Sequence, residues 1–365
     1  MYKQFITIKE ASEWASKLLH REITTSNISY LIQYGRIKRY GNNGTTLLNL
    51  EDLEKYYDSY HGRREINWKG KLGNDLNWKL SFDHLQEKDT TKHVHRLHPY
   101  KGKFIPQLVE YFIDKHTDEF KTQTYFDKED IILDPFAGSG TTLVQANELG
   151  VHSIGIDISR FNCLIAEVKL LKYDFTNLIE IMQEIKNDVI RFESDNKVNY
   201  FEKELYKELN YFNNKYFPTP EFKYEINKNE IKEEVFGKNK ENEFLKTYSQ
   251  LVKKYQIKLK QAQSKNFLDK WYIENVRTEI DFTFNLIKKV TDIKNKKILA
   301  VILSRTIRSC RATTHSDLAT LKQPQLTTYY CFKHKKICKP IFSIKNMFLR
   351  YATDTIIRLR IFENL

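Results

Sequence analysis

The sequence predicts an α/β protein: a parallel sheet with a glycine-rich βα turn, a small helical unit in front of it and a long helical insertion behind. Three observations carry that prediction. The apolar run Ile131-Ile132-Leu133 leads into Asp134-Pro135-Phe136-Ala137-Gly138-Ser139-Gly140, a buried strand followed by a tight turn that opens a helix. A second strand, Val151 to Ile156, follows that helix and ends in an acid, Asp157. Residues 175–290 are dominated by Lys, Glu, Asn, Tyr and Phe, with few glycines and a sustained helical period.

Bulk properties bound the function. At 365 residues the chain has room for two or three domains, each with its own core. It carries a formal charge of +13, a pI near 9.2, and 22 Tyr and 23 Phe. Lys and Arg release counterions from phosphates and rings stack on bases, so this composition suits a polyanionic partner. A proteome rich in Lys, Asn, Ile and Tyr produces the same bias, and charge alone does not decide between the two. Cys163, Cys310, Cys331 and Cys338 are too few and too scattered for a secreted disulfide framework. No run of about 18 apolar residues exists, and the start lacks a basic-then-apolar leader pattern. The expectation is a cytoplasmic chain with no membrane partner.

Residues 1–60 read as a unit of their own. Thr7 is placed to cap a short helix starting at Ile8, and a second helix should begin after Thr24 or Thr25 and stop near Gly35. Arg36-Ile37-Lys38-Arg39-Tyr40, the turn Gly41-Asn42-Asn43-Gly44 and the strand Thr46-Leu47-Leu48 then form a two-stranded wing by their turn chemistry. A helix from Leu50 to Tyr57 closes the unit. Helix, turn, helix, basic hairpin, helix resembles the winged helix-turn-helix domains of the excisionase and MerR-like group. That resemblance implies that Ser26, Asn27, Ser29 and Tyr30 face the major groove of double-stranded DNA, with Arg36, Lys38 and Arg39 on phosphates. A helical cap that binds protein is the alternative.

Residues 61–93, charged and carrying Trp68 and Trp78, read as a linker. Residues 94–174 hold the α/β pattern, 175–290 the helical insertion, which is also the candidate target-recognition region, and 291–365 a return to the α/β domain. That last segment begins with the buried element Lys297 to Leu303 and ends in a basic tail.

The chemistry lies in the turn. Two glycines let backbone approach a ligand where any Cβ would clash. Leu143 stands where a dinucleotide fingerprint needs its third glycine, and no Gly-Lys-Ser/Thr follows as in a P-loop. Asp157, 23 residues after Asp134, is placed at a strand tip where a carboxylate accepts both hydroxyls of a ribose. Strand, Asp-Pro-Phe-x-Gly-Ser-Gly-Thr, helix, strand, Asp resembles the signature of the amino-methyltransferases of DNA and of some RNA enzymes. The resemblance implies a class I methyltransferase, Rossmann-like sheet and S-adenosylmethionine as cofactor. It implies that Asp134 and Gly138 hold the methionine amino group, that Phe136 lines the cleft, and that Gly140 and Thr141 border the methionine carboxylate. Asp157 would bind the ribose, with Pro135 and Ile158 beside these contacts. Upstream, His98-Pro99-Tyr100-Lys101-Gly102-Lys103-Phe104 is similar to the block that precedes this loop in DNA methyltransferases, in the form common among cytosine-N4 enzymes. Lys103 and Phe104 would be its cofactor contacts.

One element is absent. An amino-methyltransferase needs Asp/Asn/Ser-Pro-Pro-Tyr/Phe/Trp to accept hydrogen bonds from the target amine and to stack on the flipped base. These 365 residues contain no Pro-Pro, and no cysteine follows a proline as a C5-type nucleophile would. No catalytic residue is therefore assigned within them. On the order of motifs, the Pro-Pro loop would follow residue 365. A natural split, with the catalytic loop on a second methyltransferase subunit, is the favoured expectation, and an artificially shortened chain is its competitor.

Two weaker signals lie downstream. Arg305, Arg308 and Arg311, three apart on one expected helix, offer DNA a basic stripe or are simply a solvated face. Cys331-x-x-His334-x-x-x-Cys338, with Cys310 or His315 as a fourth residue, has ligand types suited to zinc, but the loose spacing fits packing as well and no metal is assigned. The overall expectation is a restriction-modification enzyme that methylates an exocyclic amine of DNA, cytosine-N4 before adenine-N6. An RNA guanine-amino methyltransferase and a non-catalytic DNA-binding regulator are the alternatives.

Overall fold

A computed structural model describes the chain except for residues 1–3, 21, 42–45, 60–71, 74–75, 83–84, 193–196, 263–265 and 318–319. Its contacts divide into two units, each drawing on separate stretches of sequence. The first comprises Met1–Leu76, Lys197–Ile257 and Thr313–Pro340; the second comprises Asn77–Asn196, Lys258–Ala312 and Ile341–Leu365. The helix-rich stretch 175–290 contributes to both.

The first unit opens with a strand, Phe5–Thr7, and a helix, Ile8–Leu19. Thr7 and Glu10 form a reciprocal capping box, the Glu10 N–H donating to Thr7 Oγ1 (3.2 Å) and the Thr7 N–H to Glu10 Oε2 (2.8 Å). Thr24 and Asn27 repeat the device at the helix Thr25–Gln33. Gly35 follows that helix with φ +65°. A strand, Leu47–Asn49, and a helix, Leu50–Asp58, complete the segment. Ile28, Leu31, Leu48 and Leu53 fill its core.

The pairing of the 47–49 strand differs from the sequence reading. It lies antiparallel to Phe5–Thr7, with Ile6 opposite Leu48, and among the described residues meets the Arg36–Tyr40 segment only at the Tyr40–Leu47 bridge. Burial of Ile6 and Leu48 decides this, since the 36–40 segment offers only Ile37 to the same core. The expected turn residues Asn42, Asn43 and Gly44 lie outside the described residues.

Helices Lys197–Tyr216, Glu221–Asn227 and Glu233–Lys254 belong to the same unit. Asn227 Nδ2 donates to the carbonyls of Gly35 (2.6 Å) and Tyr34 (3.0 Å). A Cβ on Gly35 would lie 2.5 Å from the Lys223 carbonyl carbon, so both φ and close approach require glycine there. Part of the stretch 291–365, expected to return to the α/β domain, falls in this unit, namely Thr313–Pro340. A hairpin, Tyr329–Cys331 with Lys336–Cys338, packs Tyr330 against Gly237 of the third helix.

In the second unit, strands Ile131–Asp134 and His152–Gly155 pair in parallel, Ile131 opposite His152 and Asp134 opposite Gly155. Helices Pro106–Ile113, Thr141–Glu148 and Arg160–Leu170 accompany them. Ile113, Ile132, Ala146 and Val151 form a small core there. The helix Lys345–Glu363, buried through Phe348, Ala352, Thr355 and Leu359, packs on helices Ile293–Ser309 and Phe175–Phe192. The expected linker holds helical turns at Trp78–Ser81, Glu87–Thr90 and His93–Arg96; Trp68 lies outside the described residues. No helix among the described residues is long and apolar enough to cross a membrane.

Candidate cofactor site

The turn after Ile131–Asp134 is held by its own backbone and by the Asp134 side chain. Phe136 N–H donates to Asp134 Oδ1 (3.0 Å), Gly140 N–H to the Ala137 carbonyl (2.7 Å), and Ala137 N–H to the Ile156 carbonyl of the neighbouring strand end (3.0 Å). Gly138 (φ +51°) and Gly140 (φ +75°) both take the left-handed conformation. A Cβ on Gly140 would lie 2.7 Å from that of Ala166, and one on Gly138 would meet the Tyr100 ring at 3.0–3.1 Å. The glycines thus allow the His98–Phe104 block and the Arg160–Leu170 helix to close on the loop.

Asp157 gathers the far side. Oδ2 accepts from the Gly138 N–H (2.9 Å), and Oδ1 accepts from the Ser159 N–H (2.8 Å) and from Asn162 Nδ2 (2.9 Å). The Ser159 amide first, then Asn162 and Gly138, hold its carboxyl below the usual aspartate range. Phe136 is 89% exposed, and Ile158 next to Asp157 is fully exposed. Pro135 is also exposed, whereas Thr141 is buried at the first turn of its helix, whose N-terminus carries no side-chain cap. Uncapped N–H groups at such an end suit a carboxylate.

The upstream block is split in its roles. Phe104 is 65% exposed, but Lys103 turns inward and donates from Nζ to the His95 carbonyl (2.7 Å), with burial pulling its pKa down. His98 is buried, its Nδ1 against the Pro99 carbonyl (3.0 Å) and its Nε2 against Ser304 Oγ (3.3 Å). Burial lowers its pKa to about 4, so it stays neutral near pH 7.

Sequence reasoning missed the polar layer under the loop. Lys169 is buried in the Arg160–Leu170 helix, and its Nζ donates to the Ser139 carbonyl inside the turn. Burial, aided by the charge of Lys103, lowers its pKa to about 7. His95 Nε2 donates to Gln145 Oε1 (2.9 Å), both residues being wholly buried, and burial drops the imidazole pKa to about 2. Glu148 receives Lys92 Nζ at 2.6 Å and lies 2.8 Å from His93 Nε2. Burial would raise the Glu148 carboxyl, but the His93 and Lys92 contacts outweigh it and hold it low. A lysine on a helix gives no sign in sequence that it points inward; only the apolar neighbours Ile165, Ala166 and Val168 hint at it.

The residues expected to meet DNA are variously placed. In the first unit, Ser26, Tyr30, Arg36 and Lys38 are exposed, Tyr30 stacking on Tyr34 with ring centroids 4.0 Å apart. Asn27 is exposed, but its Oδ1 serves the cap at Thr24, and Ser29 Oγ donates to the Thr25 carbonyl (2.9 Å). Arg39 is ion-paired with Glu221 at 2.7 Å. In the second unit the arginine stripe does not form one face. Arg305 is buried, with Nη1 2.9 Å from Asp354 Oδ2 and its guanidinium 4.1 Å from the Tyr351 ring centre. Arg308 is half-buried, and Arg311 follows the helix end at Ser309, its guanidinium 5.9 Å from the Phe267 ring centre. The apolar period of that helix puts Arg305 on its packed side, which three-residue spacing alone did not show.

A strand, a doubly left-handed glycine turn, an uncapped helix and an acid at the next strand tip make up one α/β strand–turn–helix–strand unit. Residues 25–168 match the DNA methylase family. The type II methyltransferase M.MjaII of Methanocaldococcus jannaschii is 46% identical over 367 residues, an alignment covering 100% of this chain and 67% of that protein. M.MvaI of Kocuria varians is 29% identical over 124 residues, 34% of this chain and 25% of that protein. M2.DpnII of Streptococcus pneumoniae is 35% identical over 123 residues, 34% of this chain and 39% of that protein. No solved structure matches. The chain belongs to the type II DNA methyltransferases of restriction-modification systems, and it spans about two thirds of the length of M.MjaII.

S-adenosylmethionine is the methyl donor of that family and the cofactor of this chain. The residues fit it. The helix at Thr141 presents uncapped N–H groups, and Phe136 and Ile158 offer exposed apolar surface beside the loop and Asp157, while buried Gly138 and Gly140 shape the turn.

Proposed function

We propose that this chain provides the cofactor half of an enzyme that methylates an exocyclic amine of a DNA base, cytosine-N4 in preference to adenine-N6. The arrangement of Asp134, Gly138, Gly140 and Asp157 carries the reading: two strand tips bridged by the Asp157–Gly138 hydrogen bond, with exposed Phe136 and Ile158 beside them. In this reading Asp134 and Gly138 hold the methionine amino group, Gly140 and Thr141 border its carboxylate, and Asp157 takes the ribose. Phe104, Pro135, Phe136 and Ile158 line the cleft, and Lys103 braces the block from behind. The bound cofactor supplies an electrophilic methyl group; the chain positions it and excludes water. The cytosine preference rests on the likeness of His98-Pro99-Tyr100-x-x-Lys103-Phe104 to the form common in cytosine-N4 enzymes.

The Pro-Pro loop that polarises the amine is not within these residues, and we place it on a second methyltransferase subunit. The exposure of the two strands supports a missing layer: Ile131, Leu133, Ile154 and Ile156 are 53–61% exposed, whereas parallel strands are ordinarily covered on both faces. DNA contact falls to the N-terminal helix-turn-helix segment through Ser26, Tyr30, Arg36 and Lys38. Asn27, Ser29 and Arg39 lie within the same segment.

The test is transfer of a labelled methyl group to double-stranded DNA, with and without a chain carrying the Pro-Pro loop, followed by identification of the modified base. Calorimetry with S-adenosylmethionine on this chain alone checks the half-site. Methyl transfer to tRNA but not to DNA would overturn the reading.

A further inference from the structure

We propose that His315, Cys331, His334 and Cys338 form a tetrahedral Zn2+ site that staples the 329–338 hairpin to the segment before it. The four ligand atoms all lie within 4.8 Å of one another, and all four residues belong to the first unit. Cys331 Sγ is 3.5 Å from His315 Nδ1 and 3.6 Å from His334 Nδ1, and Cys338 Sγ is 3.5 Å from His334 Nδ1. With zinc–sulfur bonds of about 2.3 Å and zinc–nitrogen bonds of about 2.05 Å, the S···N edge of a tetrahedron is about 3.6 Å. The three S···N edges of the structure match that length. A thiol–imidazole hydrogen bond is about as long; what marks a metal site is that two thiols and two imidazoles converge on one point.

The hairpin is short, with three residues in each strand, and helices of the same unit hold it: Asn213 bonds both backbone groups of Ile337, and the Tyr330 N–H donates to Glu241 Oε2 (2.9 Å). Tyr329, Cys331 and Cys338 form a small buried cluster within it, and the four ligand types gather there. The turn is already shaped for chelation: the N–H groups of His334 (3.1 Å) and Lys335 (2.7 Å) both donate to the Cys331 carbonyl, and Lys335 takes φ +54°. That bend brings His334 back between the two sulfurs. His315 is held from the other side by Tyr329, whose hydroxyl accepts from the His315 N–H (3.1 Å) and lies 2.8 Å from Nδ1. Metal binding turns the tyrosine proton away from Nδ1 and leaves the amide contact intact. Both cysteines are free thiols, and two thiolates with two imidazoles are a donor set that selects zinc.

Cys310, the other candidate for the fourth position, is not in the cluster. It is buried in the second unit, where burial raises its thiol pKa far above the usual range. Sequence spacing could not choose between it and His315.

The test uses the full chain, purified without added metal, and elemental analysis of bound zinc. Wild type and the Cys163→Ser control are expected to retain about one zinc per chain, and Cys331→Ser and His315→Ala to fall to background. Should a variant fail to fold, Co2+ substitution of the wild type decides. The expected spectrum has thiolate-to-cobalt charge transfer and the intense visible bands of a tetrahedral ion. Wild type with no zinc and no such spectrum overturns the proposal, as does a Cys331–Cys338 disulfide in protein purified anaerobically. Calorimetry with S-adenosylmethionine reads the cofactor site separately, so the two can fail independently.

Discussion

Asp157 Oδ2 accepts a 2.9 Å hydrogen bond from the backbone N–H of Gly138, joining the acid at one strand tip to the glycine loop at the other. The same carboxylate also caps the next helix through Ser159 and Asn162. The acid therefore fixes the loop and caps the next helix, and in the proposed function it also faces the cofactor. Asp157→Asn exchanges an oxygen acceptor for an amide and removes the charge. Its expected effect is a loss of S-adenosylmethionine affinity of about tenfold or more, because charge-assisted acceptors are the stronger ones. Calorimetry measures it, and unchanged affinity would remove Asp157 from the site.

Gly140 tests the packing beneath the loop. Alanine there takes a strained φ and sets its Cβ 2.7 Å from that of Ala166. The expected cost is about 2 kcal/mol or more of stability, read as a lower urea midpoint at unchanged slope. Gly138→Leu should abolish cofactor binding while the N-terminal segment keeps its fold, which proteolysis and circular dichroism check together.

Lys169 predicts a pH signature. Its pKa is about 7 in the folded chain and near the ordinary lysine value when unfolded, so the unfolded state holds more protons between those values. Stability contributed by this group therefore rises with pH from about 7 to about 10. Lys169→Met lacks the group, and the difference in urea midpoint between wild type and variant should shift in favour of wild type across that window. A difference independent of pH would show that the amine is not buried as placed.

The N-terminal segment yields a prediction in salt. Arg36 and Lys38 are exposed, whereas Arg39 is already paired with Glu221. Alanine at Arg36 or Lys38 should weaken DNA binding and reduce the salt slope by about one each, with a smaller change for Arg39→Ala. Fluorescence anisotropy over a salt series distinguishes them. Equal effects at all three positions would mean that the Glu221 pair opens on DNA.

Thr24 tests local capping. Thr24→Ala removes the acceptor for the Asn27 N–H and should cost about 1 kcal/mol, visible as a drop in melting temperature.

Much of this was legible in the sequence, and the reason is range. Helix starts at Ile8, Thr25 and Leu50, the left-handed Gly35, and the strand–turn–helix–strand run from Ile131 to Asp157 depend on residues a few positions apart. Capping groups, glycine torsions and apolar period settle such features before any tertiary contact forms. The tertiary structure alone decided the rest. Pairing of Leu47–Asn49 with Phe5–Thr7 followed from which strand buried Ile6 and Leu48 together. Arg305 went to Asp354, 49 residues away, because burial of one helix face left its charge needing a partner. Lys169 under Ser139 and His315 beside Cys331 are likewise long-range placements. A side chain's environment is set by the other elements that close over it, and no local pattern encodes which those are.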